Sequence, residues 1–141
     1  MKFGIGQPVP RKEDPRFLTG RGRYVDDIEL PRVAHGIVIR SPHANARIKS
    51  INVKSALTAS GVLGVLTGDD FAADGLGDMH CHFPMPILAG PPTSSPYPAL
   101  ARGVVKCAGM PVAFVVAEAI DQAKDAADLV QIDYEVLPSV T

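Results

Sequence analysis

Through residues 1–31 the apolar positions keep neither a strand period nor a helix period, because four Pro, four Gly and eleven charges interrupt them. The pattern predicts an extended N-terminal arm. Phe3, Ile5, Val9, Phe17, Leu18, Tyr24, Val25 and Ile28 are its anchors if it docks on another surface, and a mobile arm is the alternative. From residue 32 a folded domain is expected to run to residue 141. His35-Gly36-Ile37-Val38-Ile39-Arg40 is β-branched and stops at Ser41-Pro42, and Ile51 and Val53 resume an alternation after Arg47-Ile48-Lys49, so two strands and a turn are predicted. Ser55 is the expected N-cap of a short helix through Ala59, with Gly61 at its left-handed C-terminal position. Val62 to Leu66 reads as a buried strand, and Thr67-Gly68-Asp69-Asp70-Phe71 starts a helical turn with carboxylates at its positive end.

Between about Ala72 and Leu100 the periodicity disappears. Pro84, Pro86, Pro91, Pro92, Pro96 and Pro98 exclude a helix interior and a central strand, which predicts a long loop that either covers a partner or is poorly ordered. Val104-Val105 begins a strand, Gly109-Met110-Pro111 makes a turn, and Val112 to Ala117 is apolar at every position, as a central strand in a sheet covered on both sides would be. Residues 119–130 place Ile120, Ala123, Ala127 and Val130 on one helical face, with Asp121, Gln122, Lys124, Asp125 and Asp128 mostly opposite. Gln131 to Val136 then alternates, so the chain closes on strand, helix, strand. If the two strands are parallel, such a unit crosses over within one sheet.

A length of 141 residues allows one compact domain whose core needs neither disulfide nor structural metal. Cys81 and Cys107 are far apart and form no C-x-x-C pair, which fits a reducing, cytoplasmic setting. No apolar run approaches the roughly 20 residues of a transmembrane helix, and Met1 to Pro8 has no apolar signal region. Net charge is −1 but unevenly divided: residues 1–54 hold 11 Lys and Arg against 5 acids, and residues 55–141 hold 3 against 10. Arg11, Lys12, Arg16, Arg21 and Arg23 alternate with Glu13, Asp14, Asp26 and Asp27, the pattern of a protein-contact arm and not of a nucleic-acid face.

Candidate chemistry is sparse. His80-Cys81-His82 has zinc and copper ligand types, but in an extended segment only the two His project to one side, so a polar loop is the plainer account. Cys107 would need a His partner that the sequence does not place, and an inert small hydrophobe is its other reading. Asp26-Asp27 and Asp69-Asp70 are adjacent carboxylates that point apart, and read as turn or capping groups. Gly4-Ile5-Gly6 and Gly20-Arg21-Gly22 lack the strand, third Gly and helix of a dinucleotide fingerprint. Ser41-Pro42-His43 brings a hydroxyl and an imidazole close without an acid to orient the ring. No residue is assigned a catalytic, cofactor-binding or metal-binding role.

Three blocks carry a resemblance. These are Arg11-Lys12-Glu13-Asp14-Pro15-Arg16-Phe17-Leu18-Thr19-Gly20-Arg21-Gly22-Arg23-Tyr24-Val25-Asp26-Asp27-Ile28, Arg40-Ser41-Pro42-His43-Ala44-Asn45-Ala46-Arg47-Ile48, and Gly109 through Pro138, which ends in Asp133-Tyr134-Glu135-Val136-Leu137-Pro138. In that order and spacing they resemble the start of the molybdenum-binding large subunit of the carbon monoxide dehydrogenase, aldehyde oxidase and xanthine dehydrogenase family, the first block most closely the carbon monoxide dehydrogenase type. The resemblance implies an α+β fold, the α/β hammerhead: a mixed sheet with a few helices behind an extended arm at 1–31, in a domain over 32–141 with a Pro-rich loop at about 72–100. It also implies a parent enzyme that inserts an oxygen from water into its substrate at a molybdopterin-type molybdenum cofactor. Electrons then pass through iron-sulfur clusters to FAD.

In that family the cofactor and the catalytic base lie in later domains, so no catalytic residue carries over to this chain. With Met1 directly ahead of the arm, the expected partners are the remainder of the large subunit, an iron-sulfur small subunit and a flavin medium subunit. Where relatives carry Tyr-Val-Gly, then Glu or Gln, then Pro, this chain has Cys107-Ala108-Gly109-Met110-Pro111, and Met110 puts a polar contact at that turn in doubt. Three functional readings follow. The chain is a positioning domain of a molybdenum hydroxylase with an unsatisfied apolar face in isolation, a free-standing hammerhead adaptor or ligand-binding module, or a small enzyme using Cys107 or the His80/His82 pair.

Overall fold

In the computed structural model, residues 6, 10–79 and 97–139 are described. The chain divides into two units, Met1–Val33 and Ala34–Thr141. The first is not extended throughout. Asp14–Leu18 forms a short helix, α1, with Pro near its start, where a missing N–H costs nothing, and Val25–Asp27 forms one 3-10 turn. Local contacts hold both. The Thr19 hydroxyl donates to the Pro15 carbonyl at 2.6 Å, Phe17 and Tyr24 stack with centroids 5.6 Å apart, and the Arg16 guanidinium lies 5.0 Å from the Phe17 ring centre. The sequence reading missed this because α1 is too short to show a periodicity. Neither element buries a residue, and Leu18 is 86% exposed, so the described residues of this unit form no core of their own.

The second unit contains β1 (His35–Arg40), β2 (Ala46–Asn52), α2 (Lys54–Leu57), β3 (Val62–Thr67), α3 (Gly68–Ala73), β4 (Val104–Val105), β5 (Pro111–Ala117), α4 (Ile120–Asp128) and β6 (Gln131–Val136). The expected mixed α/β class with a few helices is present. Its strands form two three-stranded sheets, β1-β5-β3 and β4-β2-β6, and every pair is antiparallel. β5 is central, as its unbroken apolar run predicts. The strand–helix–strand close, however, does not cross over within one sheet. β5 already has a neighbour on each edge, so β6 pairs with β2 in the other sheet.

Residues three apart on a strand face opposite ways, so β5 feeds two cores. Val115 packs with Val65, Ala56 and Ala126, under α2 and α4. Val112 packs with Ala46, Ala101, Val105 and Met110, against the second sheet. In α4 the buried positions are Ala123 and Ala126, while the expected Ile120 is 39% exposed. The small side chains let the helix lie close across β1, β5 and β3, and Ile120 sits at the first turn, beyond that contact. Ser55 is inside α2 and not its cap; the Asn52 side-chain oxygen accepts the Lys54 N–H at 3.2 Å and starts the helix earlier, while Gly61 has the predicted left-handed conformation, φ +75°.

The expected loop from Ala72 begins later, because α3 continues through Ala73, and Met79 and Tyr97 pair across its described ends. At Gly68, the first residue of α3, an added Cβ would stand 2.6 Å from the Ala101 carbonyl oxygen, whereas at Gly64 in β3 it would meet open space. Backbone cannot swing aside as a side-chain tip can. Gly68→Ala therefore costs about 1–3 kcal/mol, and Gly64→Ala is neutral or stabilising by roughly 0.5–1 kcal/mol, in urea unfolding of the two variants beside the parent chain.

Candidate functional site

Polar side chains concentrate where β1 ends and the chain turns into β2. Ser41, only 3% exposed, sends its backbone N–H to the Met110 carbonyl at 2.9 Å, and its own carbonyl accepts the Gly109 N–H at 2.8 Å. The Arg40 guanidinium donates to the Gly109 carbonyl at 2.9 Å. Inside the turn, the Ser41 Oγ accepts the His43 N–H at 3.0 Å, which is the Ser turn that the Ser-Pro-His sequence favours. The Asn45 amide donates to the Pro138 carbonyl at 2.6 Å, and the Leu137 N–H returns to the Asn45 carbonyl at 3.0 Å. Residues 40–45 thus tie the end of β1 to the turn before β5 and to the segment after β6.

Two aromatic groups and a thioether complete this cluster. The His43 and Tyr134 rings meet edge to face, centroids 5.0 Å apart. The Tyr134 hydroxyl is buried without a well-formed hydrogen bond; burial pushes its pKa up, and the nearby Ser41 hydroxyl opposes that. Met110, 3% exposed, lies in the core, and its Sδ accepts the Lys106 N–H at 3.4 Å. The doubted contact at that turn is thus an internal bond to sulfur. Sequence reasoning missed Tyr134 and the Asn45–Pro138 tie. Strand alternation was a signal for Tyr134, since Ile132 and Tyr134 face the same core; nothing local marked a bond spanning 93 residues.

A second polar group surrounds the start of α3. The Asp70 carboxylate accepts the Thr67 N–H at 2.7 Å and the Thr67 hydroxyl at 2.6 Å, a capping box that holds its pKa below the ordinary 3.8. Asp69 pairs with Arg102 at 2.9 Å in solvent, where such a pair contributes little. Clefts of about 250 and 330 Å³ flank Arg102, the first lined by Phe71, Leu76, Pro98 and Leu100, the second by Lys49, Ile51 and Thr67. Asp27 likewise accepts the Tyr24 N–H at 2.9 Å, so one carboxylate of each adjacent pair is a capping group.

Among the described residues, the structure gathers none of the candidates into a reactive set. Ser41 is engaged within its own turn, and Cys107 is an exposed free thiol, so the buried reading of Cys107 does not hold: it lies on the surface turn before β5. The His80-Cys81-His82 candidate, Gly4-Ile5 and the prolines Pro84 to Pro96 lie outside the described residues. Among the described residues no three His, Cys, Asp or Glu side chains come together as a metal site would require. No helix among them is long and apolar enough to cross a membrane.

Two antiparallel sheets packed against each other through β5, with α4 across one of them and the Ser41 turn leading from β1 of that sheet to β2 of the other, define an α/β hammerhead domain. The chain belongs to the family described as "Aldehyde oxidase and xanthine dehydrogenase, a/b hammerhead domain", which it matches over residues 19–138. It is similar to the carbon monoxide dehydrogenase large chain of Afipia carboxidovorans, 44% identical over 135 residues that make up 96% of this chain and 16% of that one. It is also similar to the nicotine 6-hydroxylase large subunit of Paenarthrobacter nicotinovorans, 39% identical over 96% of this chain and 16% of that one. Among solved structures, quinoline 2-oxidoreductase from Pseudomonas putida 86 superposes with a TM-score of 0.81 at 42% identity, covering 100% of this chain and 17% of that one. The Cu,Mo-CO dehydrogenase does so with a TM-score of 0.75 at 42% identity, over 98% and 16%. The chain therefore spans about one sixth of the length of these relatives.

Two outcomes follow from the polar groups. Asp70→Ala lowers stability by about 1 kcal/mol, the ordinary worth of a helix cap. Because the folded-state pKa of Asp70 is depressed, its contribution is present above 3.8 and is lost as pH falls through the folded value, so acid unfolding curves of parent and variant converge below that pH. At Tyr134 the sign reverses. Its raised pKa gives stability that is complete below the ordinary value of 10.0 and lost as pH rises through the folded value. Tyr134→Phe removes this alkaline loss and leaves stability at neutral pH unchanged or raised by up to about 1 kcal/mol, both read from urea midpoints across pH.

Proposed function

We propose that this chain is the N-terminal hammerhead domain of a molybdenum hydroxylase large subunit, of the carbon monoxide dehydrogenase or aldehyde oxidase kind, with a structural and assembly role and no catalytic residue of its own. The observation that carries this reading is the use made of the polar side chains in the family-like blocks: Arg40, Ser41 and Asn45 bond to the chain's own backbone, within a turn and at the ends of the β1-β5 and β2-β6 pairings. Groups engaged in this way fix the geometry of a domain. They are not presented to a substrate.

The parent subunit carries a molybdopterin-type molybdenum cofactor outside this chain, and separate small and medium subunits carry iron-sulfur clusters and FAD. An iron-sulfur cluster takes four thiolates or a mixture with His, and this chain has two Cys in all, so electron transfer through clusters belongs to a partner. Nor do the described residues offer a set of side chains that fits a metal centre, and no chemical step is routed through them. The exposed Cys107 thiol accords with a reducing, cytoplasmic compartment.

The test is the native polypeptide. Captured from the source cells with an antibody raised against this chain, it is expected to be several times heavier than 14.9 kDa, to retain molybdenum, and to bring down an iron-sulfur and a flavin protein. A polypeptide of about 14.9 kDa without molybdenum would overturn the reading in favour of a free-standing hammerhead module.

A further inference from the structure

The two sheets treat their outer faces differently. On the outer face of β4-β2-β6, Arg47 stands opposite Glu135 and bonds to it at 3.0 Å, while Lys49 and Asp133 are exposed beside them. That is how an antiparallel sheet with one solvated face is ordinarily patterned. In β1-β5-β3, the face turned away from α4 carries no charge over two adjacent rows. Val38, Phe114 and Leu66 are opposite one another across the three strands, and so are Gly36, Val116 and Gly64. Val38 is 36% and Leu66 38% exposed, Phe114 and Val116 are half-buried, and a Cβ on Gly64 would meet open space. The Phe114 ring lies against Gly36, which makes a ridge on one side and a shallow trough at Gly64 on the other. The sequence reading expected this sheet to be covered on both sides; within the described residues, cover reaches only Val112.

We infer that these two rows are the docking face for a further apolar segment of the same polypeptide, the part of the large subunit that lies beyond this chain. The inference rests on the proposed function and specifies which surface joins the domain to its parent. Two observations select this occupant. The relatives align over 92–99% of this chain but only 9–17% of their own length, so in each of them most of the polypeptide lies outside the aligned part. The patch is also small. Three strands about 4.8 Å apart and two rows roughly 7 Å apart span on the order of 100–200 Å², well short of the ~800 Å² per partner of a stable interface between separate molecules. A segment of the same chain avoids most of the entropy of association and can use so small a surface.

The experiment places a thiol in the patch, as Leu66→Cys and separately Val38→Cys, in the 141-residue chain and in the native polypeptide captured above. Alkylation of the peptide that contains the new Cys is followed by mass spectrometry, with Asp128→Cys on the solvent side of α4 as control. The expected result is protection of both patch thiols on the order of tenfold in the longer polypeptide, with the control unchanged. Equal rates in the short and long chains would overturn the inference while leaving the proposed function standing. Protection in the 141-residue chain that grows with its concentration would overturn it in favour of a second copy. A native polypeptide no longer than 141 residues would overturn both, and its mass reports that before any alkylation is done.

Discussion

The architecture depends on β5 being paired along both edges and packed on both faces, through Val115 on one and Val112 on the other. A strand with a neighbour on each edge has no free backbone hydrogen bonds for a third, and one that is apolar at every position needs material against both faces. With β1 and β3 on its edges, everything after β5 has to be placed elsewhere. The chain passes through α4, whose small Ala123 and Ala126 let it sit close over Val115, and then joins β2 in the other sheet. Val112, facing the opposite way, carries the core into that second sheet. A single strand is thus common to both hydrophobic clusters, and substitutions at its buried positions are felt in two layers.

The Ser41 turn is the other half of this arrangement. It carries the chain from β1 in one sheet to β2 in the other, and each of its ends is fastened to its own sheet. Here the backbone of Ser41 bonds to both Gly109 and Met110, and Arg40 adds a third bond to Gly109. Asn45 reaches the segment after β6. This explains why Ser41 and His43, which look like a hydroxyl and a base when read along the chain, have no reactive geometry: the hydroxyl accepts from the backbone N–H of His43, and the imidazole packs on Tyr134.

Much of the fold was legible in the sequence because its strands are short, β-branched and stopped by turn residues, as in His35 to Arg40 and Pro111 to Ala117. Which strands pair was not legible, since β2 meets β6 and β1 meets β5 across separations that no local pattern encodes. The short helices were missed or misplaced where single side chains decide: Asn52 moved the start of α2, and stacking of Phe17 on Tyr24 accompanies a helical turn in a segment without periodicity. The capping carboxylates were correctly read from their positions in the sequence, because a cap is local. Tyr134 and Met110 could not be assigned to the cluster, because their neighbours come from elsewhere in the chain.

Charge separates the surfaces as clearly as packing separates the cores. The outer face of the β4-β2-β6 sheet spends its alternate positions on Arg47, Lys49, Asp133 and Glu135, which water solvates well. The equivalent positions of the other sheet hold Val38, Phe114, Val116 and Leu66. A sequence free to choose polar residues at exposed strand positions gives up solubility by placing apolar ones there, and the docking inferred above gives them a partner. The same domain therefore has one face built for solvent and one built for burial, while its hydrogen-bonding side chains hold its own turns. Under the function proposed above, that division of labour is the one a supporting domain needs, with its polar side chains spent on its own turns and its apolar strand face left for a neighbouring segment.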